Sequence, residues 1–144
     1  MKGYLTWGIG YGKSKELAQI NAQLAANLDK IKVLKLESLK LGNCEVIEGK
    51  ERLKELKGFF RGIVLQNCAK GEAAAALVLG VLDGQLFIGH GKAGGAAKAE
   101  KKAQYNLKLL TSGKEPEQDW RVVAHAPPIK DNYACAIVAF VVED

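Results

Sequence analysis

One pattern occurs twice in this 144-residue chain and restricts what it can fold into: a strand-like run, a burst of glycines, then an alanine-rich helical stretch. The first copy runs from Tyr4 to Leu28 and the second from Gln85 to Leu110. In the first, Gly3 to Ile9 carries the strand-favouring Tyr4, Leu5, Thr6 and Trp7, and the glycines from Gly8 to Gly12 break it. Ser14 stands where a helix N-cap belongs, and Leu17, Ile20, Asn21, Leu24, Ala25 and Leu28 recur at helical spacing to about Asp29. In the second, Gln85 to His90 leads through Gly89–Gly95 into a helix over Ala96–Leu110. Glycines before a helix can cradle a phosphate. GIGYGK lacks the spacing of a nucleotide-binding loop, so a tight strand-to-helix turn is the simpler reading.

The remaining segments extend the plan. Ile31 to Leu36 alternates aliphatic and basic residues as a short strand does, and Cys44–Ile47 is a short extended piece before helical turns around Lys50–Leu56. Phe59–Ala69 and Glu72–Leu82 are apolar strands, the second tipped from helix to strand by its length, Gly80 and the Asp83-Gly84 hairpin signal. Asp119–Ala126 and Tyr133–Glu143 close the chain on either side of Pro127-Pro128. About seven strands with two or three helices predict one α+β domain over residues 1–144, a layered αββα-type sandwich with mostly antiparallel strands.

Composition narrows the function classes. The chain is 48% hydrophobic and 26% charged, an ordinary globular balance. Its net charge of +5 is spread among apolar residues, which argues against a nucleic-acid footprint. Cys44, Cys68 and Cys135 are odd in number and lack ligand spacing, and His90 and His125 lie far apart. Neither a disulfide framework nor a zinc site is expected. No apolar run reaches membrane-spanning length and the start lacks a signal peptide's core, so a cytoplasmic protein without membrane partners is expected.

Lys30 to Gly42 (KIKVLKLESLKLG) holds the most chemically suggestive position. Of the three serines, Ser14, Ser38 and Ser112, only Ser38 sits where a strand gives out into a loop. Such a place can hold a backbone strained, with a hydroxyl aimed at it. A serine there can attack the preceding carbonyl, that of Glu37, turning the amide into an ester. β-Elimination then cuts the chain and leaves dehydroalanine, which hydrolyses to a pyruvoyl cap on Leu39.

Together these segments resemble the pyruvoyl-dependent arginine decarboxylase family over most of the chain. The resemblance rests on GIGYGKSKELAQINAQL (Gly8–Leu24), on VLKLESLKLG with Ser38 at the residue that becomes the pyruvoyl group, and on YACAIVAFVV (Tyr133–Val142). It implies a lyase of polyamine biosynthesis that converts arginine to agmatine with a pyruvoyl cofactor made from Ser38. The pyruvoyl ketone acts as the electron sink while carbon dioxide leaves. It also implies self-cleavage at Glu37-Ser38 and trimers, or multiples of trimers, with active sites between subunits. Asn21, with Leu17 one turn before it, falls where the family contacts its small-molecule substrate. The family's helical aspartate falls at Asn21 or, one residue over, at Ile20, neither of which carries the charge, so an acid for a guanidinium must come from Asp29, Glu16 or Asp131. The family's catalytic glutamate falls near Gly89, leaving the adjacent His90 as proton donor. The prolines after the cleavage serine are Leu41-Gly42.

Two rival readings follow. Loss of the acidic residues suits a non-catalytic paralogue of the same fold that assembles with a partner subunit. LFIGHGKAGGAAKAEKKAQ also looks like the strand–loop–helix of double-stranded-RNA-binding folds, with Lys92, Lys98, Lys101 and Lys102 meeting phosphates.

Overall fold

A computed structural model describes residues 1–36 and 44–144. In chain order its elements are β1 (Lys2–Gly12), α1 (Lys15–Ala25), β2 (Ile31–Lys35), β3 (Glu45–Glu48), α2 (Lys50–Leu53) and β4 (Gly58–Lys70). They continue with β5 (Ala73–Leu82), β6 (Gln85–Ala93), α3 (Ala96–Leu110), β7 (Gln118–Ala126) and β8 (Tyr133–Glu143). The strands form a five-stranded sheet in the order β2-β4-β8-β1-β3 and a three-stranded sheet in the order β6-β5-β7. Among the described residues only β1–β3 and β2–β4 pair in parallel, so the chain is α+β with mostly antiparallel strands.

Three apolar layers account for this stacking. Leu5, Leu77, Leu79, Ile88, Val138 and Phe140 fill the space between the sheets. Ala18, Ala22, Leu53, Leu56, Ile137 and Val141 fill the space under α1 and α2, and Ala74, Ala76, Val78, Ala99, Ala103 and Leu107 the space under α3. β8 lies between β4 and β1 and is covered on both faces, so Ala134 to Val142 is apolar without alternation. The alanine run of β5 is equally two-faced, Ala73 and Ala75 toward the other sheet and Ala74 and Ala76 toward α3.

The repeated glycines are the first correction. Apart from Gly94 and Gly95, which lie in the bend before α3, they do not turn the chain. β1 continues through Gly8, Gly10 and Gly12, and β6 through Gly89 and Gly91. Their role is to let a helix lie directly on a strand. A Cβ at Gly8 would stand 2.5 Å from the Ala22 carbonyl oxygen, and one at Gly10 would meet the backbone of Ala18, Asn21 and Ala22. Gly89 and Gly91 face the backbone of Ala99 and Ala103 in the same way. Ala18, Ala22, Ala99 and Ala103 are wholly buried, so both sides of each contact are stripped to backbone and methyl. The two helices also end alike. Asn27 (φ 59°) and Ser112 (φ 55°) take the left-handed position, with Leu28 N–H donating to Gln23 O and Gly113 N–H to Lys108 O. The turn at Asn27 stops α1 short of Asp29.

Cysteine pairing is the second correction. Cys68 on β4 and Cys135 on β8 are direct register partners and form a disulfide, with Cα atoms 4.1 Å apart. Their 67-residue separation hides from the sequence that the sheet sets them side by side. Disulfides are rare in the reducing cytosol of mesophiles, so this bond stands in tension with a cytoplasmic location. Among the described residues no helix is long and apolar enough to cross a membrane.

Candidate functional site

Glu37 and Ser38 lie outside the described residues, and their flanks are the nearest structure to the proposed chemistry. Leu36 follows β2 with its side chain in the inter-sheet core and its N–H donating to Gly62 O at 3.0 Å. On the far side Cys44 also packs against that core, and burial pushes its thiol above the ordinary value. β2 and β3 occupy opposite edges of the five-stranded sheet. Leu36 is therefore a fixed point immediately before Glu37.

The other candidate residues fall in two places. Asn21 and Leu17 share one flank of α1, on the outer face of the five-stranded sheet. Asn21 is half-buried, and its Nδ2 donates to Tyr11 O at 2.7 Å, so its amide serves the fold. Leu17 is exposed. His90 is on β6 of the other sheet, exposed, with its main-chain N–H donating to Asn106 Oδ1 at 3.0 Å. One chain therefore unites Asn21 with Leu17 and leaves His90 apart. Of the candidate acids, Asp29 lines a shallow groove with Gln23, Leu28, Ile31 and Val64. Glu16 lies in the first turn of α1, and the Asp131 carbonyl accepts from Lys13 Nζ at 3.4 Å. Lys92, Lys98, Lys101 and Lys102 are exposed beside the buried face of α3, and Lys102 Nζ already donates to Lys92 O.

Several described residues with shifted ionisation gather elsewhere, beside a cavity of ≈ 280 Å³ lined by Tyr4, Trp7, Ile47, Lys50, Arg52 and Val122 among others. Tyr4 Oη donates to Glu143 Oε1 at 2.8 Å, and Arg52 reaches Glu143 Oε2 at 3.1 Å. Burial raises the Tyr4 pKa, helped by its bond to Glu143. That same bond, with Arg52, lowers the Glu143 pKa. Lys50 Nζ stands 4.1 Å from the centre of the Trp7 ring, and burial holds its pKa below the ordinary value. No sequence motif announces this group, because Tyr4 and Glu143 meet only through the β1–β8 register. Tyr4, Arg52 and Glu143 are bonded to one another and so tie strand ends to α2, while the Lys50 ammonium rests on the Trp7 ring. Among the described residues, no group of three or more His, Cys, Asp or Glu could hold a metal ion.

A scan against protein-family models and a search of curated proteins find no match to this chain. What stands is a class, an α+β chain of two mostly antiparallel sheets with few helices.

Proposed function

We propose that the chain is a pyruvoyl-dependent amino-acid decarboxylase that matures by cutting itself between Glu37 and Ser38. The observation that carries the reading is the anchoring of Leu36. Leu36, two residues before Ser38, is held by its side chain between the sheets and by its N–H to Gly62 O, so the chain enters the proposed cleavage segment from a fixed point. The order of helix and sheet layers also suits the resemblance. Arginine is the least supported substrate. A guanidinium fork is matched by a carboxylate, and Asn21 is neutral with its amide already given to Tyr11. The residues present do not assemble an arginine pocket within one chain, so the substrate class stays at a small amino acid. A trimer with sites between subunits would be needed to bring His90 toward α1.

A second reading, a non-catalytic paralogue that assembles with a partner subunit, is favoured by that same separation of His90 from Asn21. Intact-mass analysis decides between them. Self-cleavage converts the 15.5 kDa chain into residues 1–37 and a fragment blocked by a pyruvoyl group at former position 38. Ser38→Ala stays whole and folded, since loss of one hydroxyl at a strand end costs little. Wild-type protein that stays intact after prolonged warm incubation removes the decarboxylase and leaves the paralogue.

A further inference from the structure

β1 is eleven residues long, but β3 pairs only with Lys2 to Leu5. Gly49 N–H donates to Leu5 O and Glu45 N–H to Met1 O, so odd-numbered residues of β1 turn their main-chain groups toward this edge. Beyond β3 the same geometry aims the N–H and C=O of Trp7 and Ile9, and the N–H of Tyr11, away from β8. Among the described residues none of these has a partner, whereas the Tyr11 carbonyl is capped by Asn21.

Two features set this edge apart. The stretch Trp7-Gly-Ile-Gly-Tyr11 has no charge. Charges mark the other edge strands: Lys32 and Lys35 on β2, Glu45 and Glu48 on β3, Lys92 on β6, and Asp119 and Arg121 on β7. Charged residues are the usual protection of a sheet edge against pairing. The edge is also roofed. Asn21 reaches the edge carbonyl, so its flank of α1 overhangs the edge. Leu17 and Leu24, one turn either side of Asn21, lie on that flank and are exposed at 46% and 49% respectively. Trp7, at the start of the open stretch, is half-exposed.

We infer that Trp7–Tyr11 is an acceptor site for an extended strand of a partner protein, one with apolar side chains at alternate positions. Its backbone would pair with Trp7, Ile9 and Tyr11, and every second side chain would pack under Leu17 and Leu24. The open main-chain groups select a strand, because a helix has no backbone donors or acceptors to spare along its side. The position of α1 excludes the same edge of a second copy. The α1 backbone lies directly on Gly8, Gly10 and Gly12, over β1 itself. Pairing β1 with a second β1 would set two such helices about one strand spacing apart, roughly 4.8 Å. Packed helices need about 8–10 Å. The inference is independent of cleavage at Ser38.

The probe is a capped nonapeptide of alternating threonine and valine, added to the full-length protein. Amide exchange followed by NMR reads the site. Without peptide, Trp7 and Ile9 exchange fast while Gly8 and Gly10, turned toward β8, are protected. With peptide, Trp7, Ile9 and Tyr11 become protected. Leu17→Lys and Leu24→Lys, both half-exposed, leave the fold intact and weaken binding at least tenfold, as does N-methylation of alternate peptide amides. The inference is overturned if the peptide protects none of the three amides at millimolar concentration. Equal binding of the N-methylated peptide or of both lysine variants also overturns it, as does a dimer of the protein alone that already protects Trp7 and Ile9.

Discussion

Replacing Gly10 by alanine tests the claim that the glycines of β1 exist to seat α1. The added methyl would stand 2.5 Å from the Ala18 carbonyl oxygen and 2.7 Å from the Asn21 carbonyl carbon, against 3.4–4 Å for ordinary contact. All the obstructing atoms are helix backbone, so no side chain can swing aside. α1 must lift by about 1 Å, loosening Ala18, Ala22 and Ala26 together, and overpacking of this kind costs about 3 kcal/mol. Against this, alanine recovers only about 0.5–1 kcal/mol of backbone entropy relative to glycine. The net loss of about 2 kcal/mol, at a urea slope of about 1.5 kcal/mol/M, moves the midpoint down by more than about 1 M. Equilibrium urea unfolding followed by the fluorescence of Trp7 and Trp120 measures it. Gly94→Ala is the control, because its Cβ would meet only Glu72 at 3.5 Å, an ordinary contact. That change should stay within about 0.5 kcal/mol. If the two variants unfold at the same urea concentration, the seating argument is wrong and the glycines need another explanation.

Reduction of Cys68–Cys135 opens a 67-residue loop and should cost about 4 kcal/mol on a chain-entropy basis, read as a fall in urea midpoint with a phosphine reductant. An unchanged midpoint would mean the bond does not form in solution. The Tyr4–Glu143 pair sets two pH windows. Glu143 titrates below its ordinary 4.5, so its contribution is present above that value and is lost as pH falls through the folded pKa. Tyr4 titrates above its ordinary 10.0, so its contribution holds below that value and fades as pH rises toward the folded pKa. Glu143→Gln should flatten the acid limb of a melting-temperature profile, and an unaltered limb would dismiss the pair. Asn21→Asp should destabilise by about 1–3 kcal/mol, because it replaces a donor to the Tyr11 carbonyl with a carboxylate oxygen. Calorimetry should show no gain in arginine affinity, and a tenfold gain would place Asn21 at the substrate after all.

Local patterns in the sequence determined much of this protein. Alternation and apolar runs placed the strands from Phe59 to Leu82 and from Tyr133 to Glu143 close to where they lie, and Ser14 does cap α1 by accepting from Leu17 N–H at 3.2 Å. These signals work because period and capping depend on near neighbours in the chain. The glycines misled for the opposite reason. Alone, Gly8 to Gly12 reads as a break, since a residue without a side chain neither favours a strand nor shows what presses on it. Only the helix folding back explains why β1 runs through them. The disulfide, the Tyr4–Glu143 bond and the open edge at Trp7–Tyr11 were likewise invisible. Each joins or exposes positions that become neighbours, or fail to, only once β8 is inserted between β4 and β1 and β3 stops at Leu5. For Ser38, outside the described residues, self-cleavage is an expectation raised by its neighbours in the sequence, and the tertiary structure shows only that Leu36, two residues before it, is anchored between the sheets.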